Sequence, residues 1–216
     1  MDQEHTHPDP KRIVAEGYDA IAQRYLAWSA LDPSPERMRY LARLLALLSP
    51  GMELLELGCG AGVPVTQALA QKCRVTGVDI SAAQIAFAHE HVPGATLIQS
   101  DMTVLDFPPH SFDAVVGFYT LMHVPRAEHG ALLVRINGWL RPRGLFFATM
   151  GANDAPAGIE QDWLGAPMYW SHFDAETNRT LVQRAGFTLD SAEVVAEDED
   201  GQQVEFLWVI AHKPAV

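Results

Sequence analysis

The sequence predicts an α/β domain built on a mostly parallel sheet with helices on both faces. Three observations predict it. Short apolar segments alternate with helical periods from Met52 onward, a glycine-rich turn (Gly58-Cys59-Gly60-Ala61-Gly62) follows the first apolar segment, and an acidic residue, Asp79, ends the second. Alternating strand and helix patterns mark βαβ units, whose crossover helices bury both faces of the sheet. With 216 residues and 48% hydrophobic content, the chain is long enough for one domain with a sizeable core, expected over residues 11–216.

The elements follow in order. Residues 1–10 carry prolines, histidines and charges without an apolar period and read as a disordered start, with His5 and His7 part of a polar tail. From Lys11, the series Val14, Tyr18, Ile21, Tyr25, Trp28 recurs at intervals of three and four, one face of an amphipathic helix. A second helix follows Pro35, turns Met38, Leu41, Leu45 and Leu48 inward, and stops at Pro50-Gly51. Residues 11–50 therefore read as an N-terminal helical cap.

Strands are expected at 52–57, 74–79, 96–99, 112–118 and 144–149, with helices from 63, over 82–91 and over 126–139. Ser81 with Gln84 reads as a capping box opening the helix after Asp79. Asp174 caps a helix that closes at Gly186, and 188–195 with 204–211 form a final strand pair. The count is a seven-stranded sheet whose final strand is antiparallel. The acidic run Glu197-Asp198-Glu199-Asp200 before Gly201 reads as a solvated turn. Residues 150–173 show no clear period, and loops of that length are usually lids or disordered. Trp163, Met168, Tyr169, Trp170 and Phe173 oppose disorder, so the segment reads as an aromatic lid.

A net charge of −12, from 15 basic and 27 acidic residues, opposes attraction to a nucleic-acid backbone or an anionic membrane. Cys59 and Cys73 are the only cysteines, and no secretory leader or long apolar run is seen, so the expected compartment is the reducing cytoplasm and no disulfide is expected. Cys59 reads as a small side chain packed under the glycine turn. A monomer or homodimer is expected.

The glycine turn lets a ligand approach the backbone where no Cβ intervenes. Asp79 lies 17 residues beyond Gly62, at the end of the second strand, where its carboxylate can accept bonds from both hydroxyls of a ribose. The pair points to an adenosine-bearing cofactor. The spacing Gly58-x-Gly60-x-Gly62 is not the register of dinucleotide enzymes, and Glu56 just before it would repel a diphosphate while suiting a zwitterionic amino-acid group.

These segments resemble the class I S-adenosylmethionine-dependent methyltransferases. Leu55-Glu56-Leu57-Gly58-Cys59-Gly60-Ala61-Gly62 matches their glycine motif, Asp79 their ribose acid, Ser100-Asp101-Met102 their adenine-side acid, and Phe112-Asp113-Ala114-Val115-Val116-Gly117-Phe118 their fourth strand. The resemblance runs from about Arg12 to Lys213. It implies a Rossmann-like fold, S-adenosylmethionine as cofactor and S-adenosylhomocysteine as product. It also implies that Glu56 and the amides of Gly58, Cys59 and Gly60 serve the methionyl moiety, Asp79 the ribose and Asp101 the adenine amine, with Ile80 and Met102 sandwiching the adenine and Phe118 nearby. Tyr18-Asp19-Ala20-Ile21-Ala22-Gln23-Arg24-Tyr25 is similar to the leading helix of small-molecule methyltransferases of the quinone-biosynthesis group, in which tyrosines close over the cofactor. Trp28 reads as core.

Methyl transfer from a sulfonium is an in-line displacement in which the protein supplies orientation, worth about 7–11 kcal/mol. A general base adds about 3–5 kcal/mol and is needed only when the acceptor keeps its proton. His123, after the fourth strand, is the first candidate base, and His172 in the lid the second. The expected acceptor is a small apolar or aromatic molecule, methylated on oxygen in preference to nitrogen or sulfur. It would be enclosed by the first helix, by Tyr119 and Met122, and by Trp163, Met168, Tyr169 and Trp170. His89, His91, His110, His129 and His212 have no spacing that makes a metal set. A nicotinamide-dependent oxidoreductase, or a non-catalytic cofactor-binding protein on the same fold, are the rival readings.

Overall fold

The first strand, β1 (Glu53–Leu57), is buried on both faces, which requires neighbours on each side and helices above and below. The neighbours are β2 (Arg74–Asp79) and β4 (Phe112–Gly117), both parallel to it; β3 (Thr96–Gln99) extends the sheet beyond β2, and β5 (Leu140–Gly151) beyond β4. β6 (Ala155–Trp163) and β7 (Ala166–His172) form a separate antiparallel hairpin, and β8 (Thr188–Glu199) and β9 (Gln202–His212) complete the main sheet. The seven strands lie in the order β3-β2-β1-β4-β5-β9-β8, and only β9 runs against the rest. The order reverses between β1 and β4, so a crevice opens at their carboxyl ends. The computed structural model describes residues 9–31, 34–199 and 201–215. The expectations for residues 1–8, including His5 and His7, and for Asp200 lie outside the described residues.

Consecutive residues of the strands divide between two cores, as a pleated strand demands. Leu55, Val115, Phe146 and Leu207 join the core on one face; Leu54, Val116, Phe147 and Trp208 join the other. The second face is covered by α2 (Pro35–Leu47), whose Tyr40 stacks on Trp208 with ring centroids 4.3 Å apart. Flanking helices are α3 (Val65–Ala70), α4 (Ala82–His91), α5 (Arg126–Trp139) and α6 (Ala175–Arg184). α1 (Pro10–Leu31) does not join the sheet layers; Val14 and Ile21 pack with Ala166, Met168 and Tyr169 of β7 in a third apolar cluster.

Three sequence expectations are corrected here. Residues 150–173, read as an aromatic lid without a regular period, hold the end of β5 and the hairpin, so the expected lack of period is corrected. The strand period is hidden because β6 is exposed along nearly its whole length and the hairpin register shifts twice, between Ala155 and Gly158 and between Glu160 and Trp163. The acidic run is not a turn, since β8 continues through Glu199 and buries Glu197. The capping box is only half made: Ser81 Oγ accepts from the Gln84 amide, but the Ser81 amide donates to Asp79 Oδ1, leaving the Gln84 side chain with nothing to reach back for.

Gly17 decides how closely α1 approaches the hairpin. A Cβ there would lie 2.6 Å from the Pro167 carbonyl oxygen, and that backbone atom cannot step aside. Gly17→Ala should therefore lose stability by about 1–2 kcal/mol in urea denaturation, the overpacking cost outweighing the helical gain of alanine. Gly138→Ala on α5, whose Cβ would meet nothing within 4 Å, should gain up to about 1 kcal/mol in the same measurement.

Candidate active site

β1 ends in the glycine turn because its backbone must enter the left-handed region at Gly58 (φ +69°) and Gly60 (φ +53°). A Cβ on Gly58 would also lie 2.2 Å from Thr120 Oγ1, so the loop after β4 closes directly over the turn. The amides of Gly58 and Cys59 both donate to the Val78 carbonyl, and the Gly60 amide donates to Asp79 Oδ2 at 2.8 Å. These amides are spent inside the protein rather than aimed outward. This corrects the expected amide grip on a methionyl group: the turn folds back on β2, and what Gly58 and Gly60 offer the cavity is bare Cα surface.

Asp79 stands at the end of β2 with its two oxygens accepting from Gly60 and Ser81. Burial pushes its carboxyl up to about 6, against the opposing pull of those amides. Glu56 is 5% exposed, and burial pushes it up to about 8. It lines neither of the cavities described below and reaches toward Thr66, while its Oε2 has no hydrogen-bond partner among the described residues. Cys59 is packed against β2, where a Cβ on Gly77 would lie 3.0 Å from its sulfur, and burial raises its thiol.

Asp101 caps a short 3-10 turn, Met102–Val104. Its Oδ1 accepts from the Thr103 amide, and its Oδ2 from the Thr103 hydroxyl and from Lys11 Nζ at 2.9 Å. Burial opposes its ionisation, but these donors outweigh it and hold the carboxyl below its usual range. Lys11 reaches Glu128 as well, at 2.7 Å, and Asp19 accepts from Ser81 Oγ and the Ala83 amide. α1 is thus fastened across the mouth of the crevice at both its first and its third turn.

Beneath α1 lies a cavity of about 70 Å³, lined by Asp79, Ile80, Asp101, Met102 and Phe118 with Gly58 and Gly60. A larger cavity of about 790 Å³ adjoins it, with Trp28, Met122, Trp163, Trp170 and His172 in its wall. Tyr18, Tyr25, Tyr119 and His123 line both. Met168 and Tyr169 line neither and are buried instead against Val14 and Ile21 of α1; Trp28 does line the larger cavity and is not simply core.

His123 is held between two partners. Its Nδ1 lies 2.9 Å from the Tyr169 carbonyl, which can only accept, so Nδ1 carries the proton and Nε2 accepts from the Tyr18 hydroxyl at 2.9 Å. Burial drops its pKa to about 4, so the ring is neutral at pH 7. Burial also raises the Tyr18 phenol well above its ordinary value, so that hydroxyl keeps its proton. His172 donates from Nδ1 to the Asn153 carbonyl at the wall of the larger cavity.

The sequence missed Gln84, Lys11 and a polar group at the back of the larger cavity. There Glu197 accepts from Tyr119 OH at 2.6 Å, from Ser34 Oγ and from Trp208 Nε1 at 2.8 Å. Tyr119 itself holds φ +54°, a strained value for a bulky residue. The signal for Glu197 was its phase, since it shares a strand face with Val195.

A family profile described as "Methyltransferase domain" matches residues 54–144. The phosphatidylethanolamine N-methyltransferase of Cereibacter sphaeroides is 31% identical over 150 residues, covering 58% of this chain and 71% of its own length. The chain belongs to the class I S-adenosylmethionine-dependent methyltransferases. Phosphoethanolamine N-methyltransferase 3 of Arabidopsis thaliana is 29% identical over 167 residues, 74% of this chain but 33% of that protein, so the chain spans about a third of the length of that relative. Other relatives are named for methylating oxygen or carbon. Among solved structures, the magnesium protoporphyrin IX methyltransferase of Synechocystis PCC 6803 with bound S-adenosylhomocysteine superposes with a TM-score of 0.72 at 18% identity, covering 95% of this chain and all of that one. In this methyltransferase domain the buried acid, the bare glycine surface and the aromatic cavity meet at the crevice at the β1 and β4 ends.

Asp79 and Glu56 bind their protons more tightly in the folded chain, at about 6 and about 8, than at their ordinary values of 3.8 and 4.5. Both acids therefore favour the folded state most at low pH, and their contribution is lost as pH rises through those windows. The slope is about 1.4 kcal/mol per pH unit for each group. Glu56→Gln should flatten the decline between about pH 5 and 8 in urea denaturation, so that it gains on the parent as pH rises.

Proposed function

We propose that the chain binds S-adenosylmethionine under α1 and transfers its methyl group to a small molecule held in the larger cavity, releasing S-adenosylhomocysteine. The observation that carries this reading is the shared wall: Tyr18, Tyr119 and His123 line both the cavity beside Asp79 and the aromatic chamber. Asp79 would take the ribose, Ile80 and Met102 the adenine faces, and the one Asp101 lone pair left on Oδ1 the adenine amine. Bound there, the cofactor would supply the sulfonium methyl as electrophile. α1 lies across the smaller cavity and is fastened there through Lys11 and Asp19, so cofactor entry couples to release of those contacts in this reading.

Base catalysis is a minor part of the proposal. Both nitrogens of His123 are engaged and its basicity is low, so the atom facing an acceptor is the Tyr18 oxygen, which offers a lone pair to an acceptor O–H or N–H while its own proton stays on the His123 side. Tyr18 then orients the acceptor, and alignment supplies most of the rate. His172 is read as part of the chamber wall.

The aromatic wall supports an apolar or aromatic acceptor methylated on oxygen. A second reading, a basic amine, has its own observation: Glu160, Asp162, Asp198 and Glu205 line the larger cavity, whereas its cationic side chain Arg37 is stacked over the Tyr119 ring at 4.6 Å. The same carboxylates would repel a phosphate-bearing amine of the kind named for the plant relative. We also propose residues 11–216 as one functional unit, with 11–50 as its cap and 150–173 shaping the acceptor side, acting as a monomer or homodimer. The free, buried cysteines support a reducing compartment, the cytoplasm. No helix among the described residues is long and apolar enough to cross a membrane.

Thermal-shift titration tests cofactor choice. S-adenosylmethionine at a hundred times its dissociation constant should add about 2.7 kcal/mol, and a nicotinamide dinucleotide nothing. Turnover against matched phenols and amines, read as S-adenosylhomocysteine release, decides the acceptor atom; binding without turnover across the panel would leave a non-catalytic binding protein. Tyr18→Phe should lower kcat by about 10- to 100-fold, below the 10²–10⁴ typical of a true general base. A loss near 10⁴ would contradict the alignment mechanism.

A further inference from the structure

We infer that Gln84 is a cofactor-binding residue whose side-chain amide donates to and accepts from the ribose hydroxyls, completing a site of which Asp79 is only the accepting half. The inference rests on the cofactor reading above.

Gln84 occupies the first turn of α4 and is 1% exposed, yet neither its Oε1 nor its Nε2 has a hydrogen-bond partner among the described residues. A buried amide with both ends orphaned is rare in a folded protein and calls for a ligand or another explanation. The ordinary explanation is removed by the local geometry. A glutamine at this position of a helix normally reaches back to the N-cap amide, but the Ser81 amide donates to Asp79 Oδ1 instead.

The side chain lines the small cavity together with Asp79, Ile80 and Gly60, and a Cβ on Gly60 would lie 3.8 Å from its Oε1. The bare surface of Gly60 therefore leaves the amide open toward the cavity. Chemistry selects the ribose. Asp79 offers acceptors only, and its two oxygens already take the Gly60 and Ser81 amides. Two ribose hydroxyls bring two protons to donate and two oxygens that need donors. Several other side-chain donors of the cavity are committed: Tyr18 to His123, Lys11 to Asp101 and Glu128, Ser100 to the Asp101 carbonyl, Tyr119 to Glu197. Gln84 Nε2 is the buried amide donor in this wall with no partner among the described residues.

The test is calorimetric titration of the whole chain with S-adenosylhomocysteine and with its 2′-deoxy and 3′-deoxy analogues, together with thermal unfolding of the ligand-free protein. Gln84→Met keeps the length and removes the amide. It should weaken S-adenosylhomocysteine binding about tenfold, and shrink the penalty for at least one deoxy analogue by the same factor, while the ligand-free melting temperature stays level or rises because an orphaned polar group has gone. Gln84→Asn, which keeps the amide but shortens its reach, should weaken binding in the same way and guards against misfolding of the first variant. Unchanged affinity in both variants, unchanged deoxy penalties, or a fallen melting temperature with unchanged affinity would overturn the inference. Failure of the parent protein itself to bind S-adenosylhomocysteine would overturn the cofactor reading, and the two failures are told apart because only the second appears without a substitution.

Discussion

The carboxylate of Asp79 is the knot of this structure. It accepts the Gly60 amide from the turn after β1 and the Ser81 amide from the start of α4. Ser81 in turn caps α4 through its hydroxyl oxygen and donates to Asp19 of α1. One buried acid thus ties the glycine turn, the second strand, a crossover helix and the covering helix into a continuous set of bonds. Its elevated proton affinity is the consequence of burying a charge for this purpose, since two amides only partly offset the lost hydration.

Because the knot is local, much of the fold was legible in the sequence. The parallel strands announced themselves as continuous apolar runs, and the cap residues Ser81 and Asp174 fixed where their helices begin. The parallel strands follow from the alternation of strand and helix, and the reversed one from the final strand pair, which has no helix between its members. What stayed hidden was structure made without apolar contrast. β6 shows water almost its entire length and breaks register with bulges, so no period survives to be read. Glu197 sits in a run of four acids whose composition says turn, whereas its phase along β8 turns it onto Trp208 and Tyr119.

The candidate site was legible to the same degree and for a similar reason. Gly58, Gly60, Asp79, Ile80, Asp101, Met102 and Phe118 converge because strand ends converge at a switch in sheet order. Glu56 and Cys59 belong to the same motif but are buried and absent from the walls of both cavities, a placement that the motif alone does not reveal. Met168 and Tyr169 were grouped with Trp163 and Trp170 by composition, yet the first pair is buried against α1, whereas Trp170 and Trp163 pack on the same cluster and also reach the larger cavity. Gln84 was visible only as a capping-box residue, and the contact that frees its side chain from that role, the Ser81 amide donating to Asp79, is one the capping pattern does not encode.

The exposure of β6 has a consequence for how such a protein can diversify. Glu160 and Asp162 border the larger cavity while standing in solvent, so replacing them disturbs no packing and should shift stability by no more than about 0.5 kcal/mol. The smaller cavity has no such freedom, being built from close-packed glycines and a buried acid. On the proposed reading, selection can redraw what this protein accepts by editing one water-facing ribbon, and leave the packing behind it untouched.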